Sequence, residues 1–295
     1  MKIAKVITTA FEPRKVREKT KLAGNPLGYF EHSQNFPTKK SIIELINFTI
    51  EMELKCNPGE TVDLILVNND LGWDDGNRFL DNLNGKLLRA GKIYVLHRSN
   101  SLGRSYGSYN YAFKMLGDNY DYFIFTEDDI LVSRDGYASI GIENFLNTEN
   151  CGFVAYQGLS DEAFFLKGDD VLAAHGGVGL TSANVLKDVV MRYGALPHAD
   201  EPSSQNTLNI IMKGEVAFTN KIHKLGYKLI SIPDNIKLYD YAYDLMRGLD
   251  VKRFAPLPIK LWFKLKEKAY KQKMIRSIYE QKSINFIYKF LFKRR

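Results

Sequence analysis

The chain has 295 residues, 45% of them hydrophobic and 25% charged, with a net charge of +7. That length allows one large domain or two small ones around a sizeable core, and no apolar run is long enough to span a bilayer. From Leu257 onward twelve Lys and Arg stand against two Glu, so the rest of the chain is mildly acidic. The basic character is a property of the tail, which argues against a nucleic-acid-binding body.

The opening Met-Lys-Ile-Ala-Lys-Val-Ile-Thr-Thr has too short an apolar stretch for a signal peptide and reads as a first strand over Lys2–Thr9. Cys56 and Cys151 lack metal-ligand spacing and read as reduced packing residues of a cytosolic protein. Residues 11–37, with three prolines and two glycines, read as a long functional loop. Ser41–Leu54 has the periodicity of an amphipathic helix, ended by Asn57-Pro58-Gly59. Val62–Val67 is a second strand, running into Asn68-Asn69-Asp70. Polar side chains past a strand end lie where α/β sheets bind ligands, although Asn and Asp also form plain turns. Arg78–Ala90 reads as a helix and Lys92–Leu96 as a third strand.

The segment from Arg98 to Phe113 carries Gly103, Arg104 and Gly107, with a helix starting near Tyr106. A helix N-terminus beside small residues and an arginine can hold a diphosphate. The aromatic and β-branched run Tyr122–Phe125 then stops at Glu127, Asp128 and Asp129. Three adjacent carboxylates at the end of a buried strand repel one another. A bound Mg²⁺ or Mn²⁺ relieves that repulsion, and so does a solvated acidic turn.

Gly136–Leu146 reads as a helix and Gly152–Tyr156 as a strand. Residues 158–180 are glycine-rich, and His175, Gly176 and Gly177 there suit contact with an acceptor, with His175 suited also to the metal or to a structural turn. Thr181–Tyr193 is a helix capped by Thr181 or Ser182. Residues 194–207 read as a flap, Leu208–Leu225 as a helix and Lys228–Ile232 as a strand. Glu215 lies among apolar neighbours, where a carboxylate suits a general base; an exposed helical glutamate fits the same position. In the tail, Trp262, Phe263, Tyr270, Ile275, Ile278 and others interleave with Lys and Arg, the pattern of a basic amphipathic helix at an anionic membrane surface or packed on the domain.

Taken together, these residues resemble a GT-A nucleotide-sugar glycosyltransferase, most similar to the inverting family-2 type of bacterial surface-glycan synthesis. The resemblance covers about Ile3 to Ile232. It rests on Thr9 and Phe11 after the first strand, on Asn68-Asn69-Asp70 after the second, and on Asn100, Gly103, Arg104, Gly107 and Asn110 at the next helix start. Glu127-Asp128-Asp129 stands in the place of the DxD motif, with Glu as its first acid. The resemblance implies a GT-A (Rossmann-like) fold, mixed α/β with a mostly parallel sheet flanked by helices, over residues 1–256. Residues 257–295 then form a basic, membrane-associating segment.

It also implies donor binding by Thr9, Phe11, Asn68, Asn69, Asp70, Asn100, Arg104, Asn110, Glu127 and Asp128, with Asp129 and Glu127 on a divalent cation, Mn²⁺ or Mg²⁺. Glu215 corresponds to the catalytic base, preceding Gly226-Tyr227, but Gly214 stands where the family has a second acid. Asp240 and Asp244 are weak substitutes for a late metal-binding histidine, and His223 reads as structural. The implied activity is transfer of a sugar from a nucleoside-diphosphate donor to a hydroxyl of a cell-surface or lipid-linked glycan such as lipopolysaccharide, in a cytoplasmic protein peripheral to the inner face of the membrane. A retaining transferase, a sugar-1-phosphate nucleotidyltransferase and a non-catalytic nucleotide-sugar-binding protein remain as alternatives.

Overall fold

The computed structural model describes residues 1–12, 39–161, 172–174, 177–200, 212–233 and 236–241. The chain divides into two units, residues 1–14 with 36–242 and residues 15–35 with 243–295, and every described residue lies in the first. The expected loop over 11–37 falls almost wholly outside the described residues, as do His175, Gly176 and the basic tail.

The first unit is built on an eight-stranded, mostly parallel sheet flanked by helices. Its centre is β1 (Ile3–Thr9), which pairs in parallel with β2 (Val62–Asn69) on one side and β5 (Tyr122–Glu127) on the other. Beyond β2 lies β4 (Gly91–Arg98), also parallel, edged by the two-residue antiparallel β3 (Leu87–Leu88). Beyond β5 the short β10 (Gly179–Ser182) runs antiparallel to both β5 and β7 (Cys151–Ala155), and β11 (Lys228–Ser231) closes the sheet parallel to β7. Two small ribbons sit apart from it. β6 (Ile130–Val132) pairs with β12 (Tyr239–Tyr241), and β8 (Leu159–Asp161) with β9 (Leu172–Ala174).

Every residue of β1 is buried, because helices cover both faces of the sheet. On one face, α3 (Arg104–Leu116), α5 (Ala183–Tyr193) and α6 (Ala217–Lys224) pack Tyr109, Phe113, Leu186, Val189, Phe218 and Ile222 against β1, β2 and β5. On the other face lie α1 (Lys39–Lys55), α2 (Asp74–Asp81) and α4 (Tyr137–Asn147). Here β1 buries a lysine. Lys5 is fully enclosed and ion-paired to Glu53 of α1, whose other oxygen accepts a hydrogen bond from the Tyr137 hydroxyl (2.7 Å). The ammonium also lies 4.8 and 4.7 Å from the ring centroids of Tyr137 and Tyr239. Burial pushes the Lys5 ammonium below its ordinary pKa, against the pull of Glu53. A buried charge is tolerated only when paired and surrounded in this way, so Lys5 and Glu53 hold α1 to the middle of the sheet.

Several expected boundaries move. The second strand continues through Asn68 and Asn69, placing both inside the sheet rather than in the turn. The helix expected over Arg78–Ala90 instead occupies Asp74–Asp81. Asn84 and Gly85 turn the chain after it, and the Gly85 amide donates to Ile93 O (2.7 Å) as a ribbon forms with β3. The helix expected from Thr181 starts at Ala183, because Thr181 belongs to β10; Ser182 is the cap, accepting from the Val185 amide at 3.2 Å. The helix expected over Leu208–Leu225 opens, within the described residues, as a π-helical turn at Met212–Val216 before α6. Both cysteines are free and buried, as packing residues are.

Candidate functional site

The parallel strands β1, β2, β4 and β5 end together, and their registers bring Thr8 opposite Glu127, Thr9 opposite Asn68, Asn68 opposite His97 and Asn69 opposite Arg98. Side chains alternate between faces along a strand, so this edge divides into two polar networks.

On the α3 face, Asn69 is the centre. Its Oδ1 accepts from Arg98 Nη1 (2.9 Å) and from the Ser108 hydroxyl (3.0 Å), and its Nδ2 donates to Thr8 Oγ1 (3.2 Å) and to Thr9 O (3.3 Å). Thr8 donates to Ser108 (2.9 Å). Arg98 reaches on to the carbonyl of Leu102 (2.5 Å), in the turn that opens α3. Burial lowers the pKa of its guanidinium. This turn is tight: Asn100 Oδ1 accepts from the Leu102 amide (3.1 Å), and Gly103 and Arg104 take left-handed φ values of 68° and 47°. Gly107 is required here, because a Cβ would fall 2.0 Å from Leu102 O and 2.7 Å from both terminal nitrogens of Arg98. Arg98 and Gly107 therefore set the N-terminus of α3, where the helix dipole favours an anion.

The acids close the edge. Glu127 is the last residue of β5, half-buried, and accepts a hydrogen bond from Ser105 in the first turn of α3. Asp128 is 1% exposed; its Oδ2 accepts from Thr9 Oγ1 (2.7 Å), and its carbonyl accepts from Thr49 of α1 (3.2 Å). Asp129 is 4% exposed, just ahead of β6.

Glu215 reaches the same place from the far end of the chain. It sits half-buried in the π-helical turn, a local geometry frequent at functional sites. The buried phenol of Tyr109 shows the convergence. Burial pushes its pKa well above the ordinary value, and the negative charges of Glu127, Glu215, Asp129 and Asp128 push it further, in that order. Four carboxylates thus act on one tyrosine of α3. Tyr106, one turn earlier, packs on Gly214, where a Cβ would come 2.8 Å from the ring. A side chain at that position would have to displace the ring.

The remaining expected residues have these places. Phe11 is 3% exposed and meets Trp73 edge-on at 5.0 Å. Asp70 lies at the rim, where its Oδ1 accepts from the Gly72 amide (2.8 Å); that bond first, and then the Asn77 side chain, lower its pKa. Arg104 is half-buried at the head of α3. Asn110 accepts from the Leu196 amide (3.0 Å), so it ties the segment after α5 to α3. Gly177, at φ 64°, lies against the Tyr106 hydroxyl, which a Cβ would approach to 2.1 Å. Asp240 is ion-paired with Lys237, and His223 Nδ1 lies 3.3 Å from Tyr227 O. The sequence reading did not single out Thr8, His97, Arg98, Ser105, Ser108 or Tyr109. Their signal was position: His97 and Arg98 end a strand, and Ser105 and Ser108 lie one turn apart at a helix start.

Among the described residues, no three His, Cys, Asp or Glu are gathered as a preformed metal cage. One or two carboxylates are what Mg²⁺ uses when substrate phosphates complete its shell, and an all-oxygen donor set also suits Mn²⁺. The acidic rim fits an ion of that kind. A separate cleft of about 470 Å³, lined by Met1, Asp118, Asp121, Ser182 and Lys187 among others, lies at the opposite, amino-terminal edge of the strands and includes none of these residues.

No protein-family model matches the chain, and no curated protein matches it. Among solved structures it is similar to the mannosyltransferase PcManGT from Pyrobaculum calidifontis, in complex with GDP-Man and Mn²⁺, with a TM-score of 0.46 and 14% identity over 79% of this chain. The chain spans 55% of that protein's length. It is also similar to a CMP:2-keto-3-deoxy-manno-octonic acid synthetase complexed with CTP, with a TM-score of 0.46 and 10% identity over 86% of this chain and all of that one. Neither likeness assigns an activity to this chain.

The close fit of Tyr106 on Gly214 is directly testable. Gly214→Ala should force the ring to shift and destabilise the fold by about 1–3 kcal/mol, as overpacking of a filled site does. Urea unfolding measures it; an unchanged midpoint would show that the ring does not fill that space.

Proposed function

We propose that the chain is a glycosyltransferase that moves a sugar from a nucleoside-diphosphate donor to a hydroxyl of a cell-surface or lipid-linked glycan, with inversion, in the manner of the GT-A family-2 enzymes it resembles. One observation carries the reading. Glu127, Asp128 and Asp129 end a central parallel strand, Ser105 in the first turn of α3 donates to Glu127, and the π-helical turn that bears Glu215 packs on Tyr106 of the same helix. Negative side chains placed next to a positive helix end are what a diphosphate, its counter-ion and a proton-accepting base call for.

In this reading Asp129 and Glu127 hold a divalent cation, which when bound supplies Lewis-acid stabilisation of the diphosphate leaving group. Arg104 and the first amides of α3 bind the diphosphate and meet the charge that builds on it. Asp128, fixed by Thr9 and Thr49, keeps the acidic turn in shape. Glu215 takes the proton of the acceptor hydroxyl as that oxygen attacks the anomeric carbon from the face opposite the diphosphate. The bond to the new oxygen forms as the bond to the phosphate oxygen breaks.

The basic segment from Leu257 onward brings the enzyme to an anionic membrane surface, where a lipid-linked acceptor would lie. Among the described residues no helix is long and apolar enough to cross a membrane. Removing residues 257–295 should release the protein from phosphatidylglycerol-containing vesicles in a sedimentation assay; undiminished binding contradicts a role for the segment in attachment.

Loss of a general base typically lowers turnover by about 10²–10⁴-fold. Glu215→Gln should show a loss of that size in transfer or donor hydrolysis, measured across UDP-, GDP- and dTDP-sugars with Mn²⁺, while donor affinity is kept. Wild-type turnover in the variant removes Glu215 from the mechanism.

A further inference from the structure

The second polar network lies on the other face of the same edge, and the α3-side chemistry does not use it. Asn68 is fully buried at the end of β2. Its Nδ2 donates to Asn77 Oδ1 (2.8 Å) and lies 3.1 Å from His97 Nδ1. His97 Nε2 lies 2.8 Å from Asp81 Oδ1 on α2. The Asn77 side chain in turn lies beside Asp70, the rim carboxylate after β2, and, after the Gly72 amide, helps to lower its pKa. The series Asp81–His97–Asn68–Asn77–Asp70 therefore runs from α2 to the mouth of the site. Asn68 Oδ1 is buried and has no hydrogen-bond partner among the described residues.

The chemistry fixes the direction of each bond. A carboxylate only accepts, so Asp81 holds the neutral imidazole in the tautomer with its proton on Nε2. Nδ1 is then an acceptor, and only the NH₂ end of Asn68 can face it. That leaves Asn77 to receive a hydrogen bond at its oxygen and to present its own NH₂ to Asp70. The Gly72 amide first, and then Asn77, favour the ionised rim carboxylate, which keeps lone pairs for a donor group on a ligand.

We infer that His97 and Asp81 are positioning residues for nucleoside recognition, and that they set the hydrogen-bonding polarity of the Asn68–Asn77–Asp70 edge and reverse it when His97 is protonated. The inference rests on the reading of this rim as a nucleotide site. Protonated His97 donates from both nitrogens, so the Asn68 amide must turn its oxygen to Nδ1. The buried oxygen gains a donor, but Asn77 loses one. If Asn77 turns as well, its oxygen faces the Asp70 carboxylate and repels it. The edge that recognises a base or ribose N–H or O–H is then disordered from behind, without a change at the acids. The charged and titratable groups described around His97 are Asp81 on α2, Asp70 in the turn after β2, and Tyr111 on α3, whose hydroxyl donates to the His97 carbonyl (3.1 Å). Histidine is the side chain whose ordinary range brings such a reversal within mildly acidic conditions.

Two readouts on the full chain separate this inference from the site reading beneath it. In a ¹⁵N-labelled protein, the side-chain amide signals of Asn68 and Asn77 should move with pH along the same curve as the His97 ring nitrogens, and should stay still in His97→Gln. By calorimetry, UDP or GDP with Mg²⁺ should bind about three- to tenfold more weakly near about pH 5.5 than near about pH 7.5, the worth of about one neutral hydrogen bond. His97→Gln should lose this weakening and keep only the pH dependence that the nucleotide's own terminal phosphate contributes. Stationary Asn68 signals through the His97 titration overturn the relay, as does a variant with the wild-type pH profile. If the amide signals move but neither nucleotide binds at either pH, the relay stands and the nucleotide site falls.

Discussion

Two carboxylates, Asp128 and Asp129, are buried at the end of a strand of aromatic and branched residues, and the rest of the edge is arranged around that cost. An ionised group removed from water must be met by hydrogen bonds or by opposite charge. Thr9 from β1 meets Asp128 at its side chain, and Thr49 from α1 meets it at its backbone. The turn is therefore held by both the central strand and the helix packed behind it. The buried ion pair of Lys5 and Glu53 fixes that helix to the same strand one turn from Thr49. The acidic turn is a rigid feature of the fold, and its geometry is set before any ligand arrives, as preorganised electrostatic sites require.

Strand alternation then divides the labour. Residues facing α3, namely Thr8, Asn69, Arg98 and Glu127, join the head of that helix and build the anion-facing side. Residues facing α2, namely Asn68 and His97, join Asn77, Asp81 and Asp70 and build a side suited to a base or sugar hydroxyl. In the proposed reading the first side would face the phosphates of a nucleotide and the second its ribose or base.

Much of this was legible in the sequence where a local rule decided it. The apolar run ending in three acids marked β5 and its turn, and the polar residues after Val67 marked the carboxyl edge of the sheet. The rest depended on partners distant in the chain. Asn68 and Asn69 read as turn formers, yet they extend β2 because Arg98, Ser108, Asn77 and His97 satisfy their amides inside the sheet. Arg98 looked like the start of a loop, and only its bonds to Asn69 and Leu102 show it shaping the head of α3. The helical periodicity around Glu215 concealed a π-helical turn, since a single turn of five residues is too short to show a period of its own. Nothing local in the sequence signalled that the ring of Tyr106 packs on Gly214.

The central claim is that nucleotide phosphates and a divalent cation meet at the acidic end of β5. Paramagnetic Mn²⁺, added with UDP or GDP to the ¹⁵N-labelled protein, broadens the amide signals of residues near it. The account predicts that broadening falls first on Glu127, Asp128, Asp129 and the opening turn of α3, then on Glu215, and only when nucleotide is present. Broadening centred on the cleft at the opposite edge, around Asp118 and Asp121, or none at the acidic turn, would contradict it.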